Sequence, residues 1–334
     1  MAFFSTIVEG IYSVIGNYGW SIMIFTLLVR LILMPFDWRS RVSMRKMTLV
    51  QPKIQELQNR YSKDPEKLNR KMGELYKQEG VSPLSGCLPL LLSYPILILM
   101  WNAMRDVANQ QLVQQVLGIL QEGGNTMPPM EGWLWVKNIW MPDSPFSAVL
   151  PNLDSLRMIG GDVWTKYFTP EVIATLPGEL SALTAESFTG NALLPTVQQI
   201  YSVLAQTPVY LANANPMPGW TFSFLGFNLS IMQNYNGYFL LPILSAVSQF
   251  AMTAITPQQP TAQQGQQSGQ GTMNFMKWFF PLFSLYICAS YNGAFALYWV
   301  TANLIMMVQT WGINKYLDQK DAKKAAVAGE GSIK

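Results

Sequence analysis

The segment from Gly19 to Phe36, Gly-Trp-Ser-Ile-Met-Ile-Phe-Thr-Leu-Leu-Val-Arg-Leu-Ile-Leu-Met-Pro-Phe, is an 18-residue apolar run with one permanent cation, Arg30, set inside it. That is about the length an α-helix needs to cross a hydrocarbon layer roughly 30 Å thick. Within such a layer every backbone polar group must be satisfied internally, which restricts the run to helix. Arginine keeps its proton at any accessible pH. Placing it near the bilayer centre costs roughly 2.5–3.5 kcal/mol on insertion scales. At about 1.5 Å rise per residue, Arg30 lies on the order of 9 Å inside the end of the run. An ionisable group at that depth is a candidate functional site.

Four further runs are apolar enough to span, at 88–104, 238–256, 275–291 and 294–313. The last two are separated by Asn292 and Gly293 alone, which predicts a tight hairpin. The 334 residues are 50% hydrophobic and 12% charged, against about 25% charged in soluble domains. The chain therefore reads as an all-α polytopic membrane protein with five transmembrane helices and a soluble fraction. Pro89, Pro95, Pro242 and Pro281 fall inside runs, where neighbouring helices must satisfy the freed carbonyls.

Charge orients the chain. Segment 37–87 holds eleven Lys and Arg against six Asp and Glu, segment 105–237 four against nine, and the tail 314–334 five against three. The positive-inside rule then predicts a cytoplasmic 37–87 and tail, an extracellular 105–237, and an N-terminus outside. In residues 1–18 the apolar positions 4, 7, 8, 11, 12 and 15 share one helical face, which predicts an amphipathic helix on the outer membrane surface. The competing reading, a cleaved signal peptide, lacks its basic start.

Within 37–87, Val50, Ile54, Leu57 and Tyr61 repeat at helical spacing, then Leu68, Met72, Leu75 and Tyr76. Between them Asp64-Pro65 offers an N-cap followed by proline at the first helical position. This predicts an antiparallel helical hairpin, with Pro52 kinking or starting its first arm. It is either a solvated coiled coil beside anionic lipid or a docking arm for incoming polypeptide or a targeting partner. Segment 105–237 is rich in Pro, Gly, Ser and Thr, with helix expected at 110–121 and 182–206 and an interfacial look to Trp133–Trp140. Residues 257–274 read as a polar cytoplasmic linker.

The chain contains no histidine, and no nucleophile–base spacing appears, so no catalytic residues, metal site or cofactor are predicted. Cys87 and Cys288 are about two hundred residues apart in apolar runs, which does not make a disulfide framework. The Leu84-Ser-Gly-Cys87 match to a lipoprotein box follows a charged stretch and reads as chance. Thr26 shares a helix face with Arg30. Ser93, Ser245, Ser248, Gln249, Thr301, Asn303 and Gln309 are the other polar residues at membrane depth, and none of the five runs holds an Asp or Glu. Ion-coupled transporters keep such acids, so a solute transporter is disfavoured. Arg30 either reaches backbone carbonyls and the interface, or faces a hydrated cavity where it would attract acids on a visiting segment. Likewise the 19 Met are either core filler or a plastic lining.

Several motifs in order resemble one family. Gly16-Asn-Tyr-Gly-Trp-Ser-Ile22 and Thr26-Leu-Leu-Val-Arg-Leu-Ile-Leu-Met-Pro35 are similar to the first core helix of the YidC/Oxa membrane-protein insertases. Gln51-Pro-Lys-Ile-Gln-Glu-Leu-Gln58 resembles the start of their cytoplasmic hairpin, and Leu75–Leu91 their entry to the second core helix. Phe239–Leu244 and Ala296-Leu-Tyr-Trp-Val-Thr-Ala-Asn-Leu304 resemble the third and fifth. The likeness covers about 1–145 and 236–315. It implies a five-helix core with a hydrophilic groove open to cytoplasm and lipid. In that groove Arg30, Thr26, Gln249, Tyr298, Trp299 and Asn303 would meet substrate. It implies nascent membrane proteins and the lipid bilayer as partners, with the ribosome and secretion translocon as further candidates, no nucleic-acid recognition, and a bacterial plasma membrane location. The sequence departs from the family at Asn292-Gly-Ala294 before the fifth helix, at Met252, and in an apparent insertion at about 146–235. The absence of a preceding lipoprotein signal or large external domain suggests a Gram-positive type.

Overall fold

The computed structural model describes residues 2–81, 88–224, 226–255 and 268–331. The Leu84–Cys87 quartet and residues 257–267 of the predicted linker lie outside them. The protein is mostly helical. In chain order it has α1 (Ala2–Ile15), α2 (Tyr18–Arg60), α3 (Pro65–Glu79) and α4 (Leu88–Gln121). Five short helices follow: α5 (Leu153–Arg157), α6 (Gly161–Tyr167), α7 (Pro170–Ile173), α8 (Leu193–Leu204) and α9 (Pro208–Ala214). An antiparallel pair, β1 (Pro216–Phe224) and β2 (Phe227–Met232), precedes α10 (Leu240–Ile255), α11 (Ser268–Ser290) and α12 (Gly293–Gly331). The β-hairpin departs from an all-α expectation. It lies in the apparent insertion, where Trp220 and Phe222 alternate with Thr221 and Ser223 at strand period.

Two compact units share the chain, one of residues 1–25, 99–244 and 285–299, the other of 26–98, 245–284 and 300–334. In the first, α1 is tied down by Tyr12, whose hydroxyl donates to Glu131 Oε1 at 2.6 Å and whose ring stacks on Tyr18 at 3.9 Å. Trp164, Phe168 and Phe188 pack ring on ring, fully buried, beneath the short helices. At the 292–294 turn, Asn292 Oδ1 accepts the Phe295 N–H at 2.9 Å, so Asn292 caps α12.

In the second unit, α2 continues without interruption through Pro35 and Pro52. Of the two expectations for Pro52, a kink or a helix start, the start is absent, so the apolar run and the first hairpin arm are one helix. Each proline removes a backbone donor and crowds the carbonyl four residues back, a cost of about 3 kcal/mol in an isolated helix. Tertiary packing offsets it after Pro52, because α2 and α3 close on Met47, Val50, Ile54, Met72, Leu75 and Val81, flanked by Leu57, Leu68 and Tyr76. Asp64 accepts the Lys67 N–H at 3.0 Å, and Gly80 ends α3 in the left-handed region at φ 61°. Lys53 and Glu79 pair at 2.5 Å across the two arms. The tail is also helical as part of α12. Its acidic residues Asp318 and Asp321 turn to Arg45 of α2 at 2.6 and 2.8 Å, and Tyr316 packs on Trp38 at 5.1 Å.

Among the described residues one helix, α2, is long and apolar enough by length and composition to cross a membrane, and Leu240–Ile255 is a shorter apolar helix. Cys288 is a buried free thiol.

Candidate functional site

The first run places Arg30 on α2, half-buried, one turn after the buried Thr26. Its backbone carbonyl accepts from Gln309 Nε2 of α12 at 3.2 Å. Among the described residues no carboxylate lies within 4.0 Å of its guanidinium, although six other ion pairs form. The acid on which Arg30 acts is Asp37. Seven residues on, Asp37 stands on the same helical face, about 10 Å along the axis. Burial pushes the Asp37 carboxyl above the ordinary range, against the opposing pull of Arg30 and Arg41. Burial likewise lowers the Arg41 guanidinium, and Asp37 works against that shift. Asp37 escapes a search for acids confined to the apolar run because it is the first residue beyond it. Its spacing of seven from Arg30 is the signal that marks it.

A polar ladder joins the other helices of the same unit. Asn303 of α12 donates through Nδ2 to Ser248 Oγ at 3.1 Å and to Gln249 Oε1 at 3.2 Å, both on α10. Ser248 donates to the Ser245 carbonyl at 3.0 Å. Ser284 of α11 donates to Ser245 Oγ at 3.0 Å, and Ser245 donates to the Ser284 carbonyl at 3.2 Å. Ser284, one of four hydroxyl-bearing residues in the run 275–291, is the member that no pattern in the sequence singles out. The ladder brings the predicted pair Gln249 and Asn303 together, with Asn303 buried and Gln249 half-buried. Gln309 Oε1 is buried with no hydrogen-bond partner among the described residues.

Tyr298 and Trp299 fall in the other unit. Tyr298 is buried, and Trp299 is half-buried with its ring 5.6 Å from Phe295. The Trp299 Nε1 has no partner among the described residues. Around the Arg30 unit the exterior is apolar: Ile32 on α2, Leu282 on α11 and Val308 on α12 are well over half exposed. Exposed apolar surface on several helices at once marks a contact with lipid or with another chain. Among the described residues no group of three or more Cys, Asp or Glu is placed to hold a metal. The chemistry available is a cation, amides and hydroxyls beside an apolar exterior.

A family model described as "60Kd inner membrane protein" matches residues 10–177 and 189–321. Three similar proteins, each named "Membrane protein insertase YidC", illustrate the range. The one from Campylobacter jejuni is 44% identical over 94 residues, which is 28% of this chain and 18% of that protein. The one from Thioalkalivibrio sulfidiphilus is 41% identical over 155 residues, 46% of this chain and 24% of the relative. The one from Prosthecochloris aestuarii is 27% identical over 307 residues, 92% of this chain and 35% of the relative. The chain thus spans between about a fifth and about a third of the length of these relatives.

Proposed function

We propose, for a chain that belongs to the 60Kd inner membrane protein family, that of the YidC/Oxa insertases, that it receives nascent membrane segments and releases them into the bilayer. In this reading the apolar runs are five spans in a bacterial inner membrane, with the N-terminus outside and the C-terminus in the cytoplasm. Arg30, Thr26, Gln249 and Asn303 line a hydrated groove, and Tyr298 and Trp299 are further residues that meet substrate. The observation that carries it is Arg30, a cation in the apolar part of α2 with no carboxylate in ion-pair range among the described residues. An uncompensated charge at membrane depth is retained where it meets water or a transient partner. The unpartnered Gln309 Oε1 supports the same conclusion.

The mechanism is electrostatic capture followed by hydrophobic transfer. A substrate carboxylate about 4 Å from Arg30 gains roughly 4 kcal/mol at an effective dielectric of about 20, against about 1 kcal/mol in bulk water. The apolar part of the substrate then leaves along the lipid-facing side, driven by about 25 cal/mol per Å² of apolar surface buried. Exposed Lys315, Lys320 and Lys323 flank the two aspartates held by Arg45, which leaves a basic side of the tail for a ribosome. The test is insertion of a single-span protein with an acidic N-tail into liposomes containing the purified chain. Arg30→Ala should slow insertion at least about tenfold, equivalent to about 1.4 kcal/mol, and Arg30→Lys should retain most of the rate. Full-rate insertion by Arg30→Ala would remove Arg30 from the mechanism, and a solute flux without substrate protein would favour a channel.

A further inference from the structure

Ninety consecutive residues, 187–276, contain no Asp, Glu, Lys or Arg. A soluble segment of that length carries on the order of twenty charges. Within this stretch stands the β1–β2 hairpin, whose register pairs Thr221 with Ser230, Phe222 with Leu229 and Ser223 with Asn228. Strand alternation makes the hairpin two-faced. One face is polar and internally bonded, with the Thr221 and Ser230 hydroxyls 3.0 Å apart and Ser223 donating to Asn228 Oδ1 at 2.5 Å. The other carries Trp220, Phe222 and Leu229. Trp220 is 59% exposed and Phe222 46% exposed. A two-stranded hairpin is marginal in water by itself and needs a further surface against its apolar face.

The surroundings identify that surface. Phe222 meets Phe146 edge-on at 5.9 Å, and the Met232 N–H donates to the Pro145 carbonyl at 3.0 Å. In the same loop Asp143 accepts the Phe239 and Leu241 N–H groups at 3.2 and 2.7 Å, at the start of α10. The hairpin is therefore fastened beside the first turn of an apolar helix, where Tyr238 and Leu240 are also exposed. We propose that the apolar face of the β1–β2 hairpin is a lipid-binding wedge, seating Trp220 and Phe222 at headgroup level in the leaflet where α10 begins. In the orientation proposed above, this is the outer leaflet. Tryptophan settles at that level because its ring is apolar and its indole N–H is a donor. The open edges of the two strands keep the hairpin there, since unpaired N–H and C=O groups cannot enter hydrocarbon. With no basic residue in the stretch, binding needs no anionic lipid and is insensitive to salt.

The test uses the full chain with Cys87→Ala, Cys288 being fully buried, in vesicles of phosphatidylcholine. Trp220→Cys and, on the polar face, Thr221→Cys are labelled separately with an environment-sensitive fluorophore. The label at 220 should lose most of its emission to lipid carrying a nitroxide near the headgroup and less to one near the chain end. The label at 221 should keep its emission. Neither result should change with added salt or with phosphatidylglycerol. Equal quenching at both sites, or quenching that requires phosphatidylglycerol, would overturn the proposal. So would protection of residue 220 from both lipid nitroxide and aqueous iodide, which would place a protein on that face. No substrate protein is present, so failure here leaves the insertion reading standing, and failure of insertion leaves this one.

Discussion

In the first unit Asn236 Nδ2 donates to the carbonyls of Asn138, Met141 and Pro142 at 2.8, 3.1 and 2.9 Å, while its Oδ1 accepts the Asn138 N–H at 2.8 Å. Asn138 in turn donates to Val149 and Gln115, and Asp143 gathers Trp135 Nε1, Phe239 N and Leu241 N. All three residues are wholly buried. The ladder of the second unit differs from this knot. Its serine and asparagine ladder ends on a half-buried Gln249, Gln309 Oε1 has no partner among the described residues, and Arg30 stands without a carboxylate in ion-pair range. A saturated knot fixes a fold and has nothing left to offer a ligand. A ladder with spare capacity holds less structure together and, in the proposed function, is free to receive a visitor.

The comparison breaks first at the knot. Asp143→Ala orphans one buried donor, the Leu241 N–H, and two partly buried ones, Trp135 Nε1 and the Phe239 N–H, at roughly 1 kcal/mol each, so the first unit should lose about 2–3 kcal/mol, read as a lowered thermal midpoint in detergent. Gly237→Ala should act alike, because a Cβ there would stand 2.0 Å from Asp143 Oδ1 and 3.2 Å from its Cα. Arg30→Ala should do the opposite. Insertion falls at least about tenfold, while the thermal midpoint holds or rises, since a costly half-buried charge is gone. A midpoint that drops as far as that of Asp143→Ala would make Arg30 a structural staple.

How much of this was legible follows the range of each interaction. The α2–α3 hairpin could be read from residues three and four apart, and its core contains the predicted Val50, Ile54, Met72 and Leu75. Its Asp64 cap acts within three residues. The Asp143 cap on α10 spans 96 to 98 residues of chain, and no local pattern announces such a partner. The β-hairpin was missed because its alternation is short and embedded in Gly- and Pro-rich sequence. Pro52 alone leaves a kink and a helix start equally open, and the packing of α2 on α3 decides against the start. For the site, Arg30 was conspicuous as a charge in an apolar run, but Asp37 fell one residue outside that run.

Asn303→Ala sharpens the comparison at intermediate scale. It removes two hydrogen bonds from the ladder, each worth about 1 kcal/mol net, and, if the proposed groove is hydrated, leaves Gln249 Oε1 and Ser248 Oγ free to bond water. The loss of stability should then stay under about 2 kcal/mol, and insertion should slow less than with Arg30→Ala. A loss as large as that of Asp143→Ala would mean that the ladder is dry and structural.

The smallest effect belongs to Asp37. Ionised, it lies about 10 Å along the helix from Arg30 and offsets the pull of Arg30 on an incoming carboxylate by at most about 1–2 kcal/mol at an effective dielectric near 20, less with salt. Asp37→Asn should therefore raise capture of an acidic N-tail by a few-fold at most, seen as a lower half-saturating substrate concentration. The pH dependence gives the sign independently. Burial raises the Asp37 carboxyl above the ordinary range, so as pH falls Asp37 takes up its proton before an exposed substrate carboxylate does. In the window above the ordinary carboxylate value of about 4, wild-type capture should rise as Asp37 is neutralised, then fall when the substrate itself is protonated. The Asn variant should show the fall without the preceding rise. If wild type and Asp37→Asn trace the same pH profile, Asp37 does not act on the capturing charge, and its raised pKa reflects burial alone.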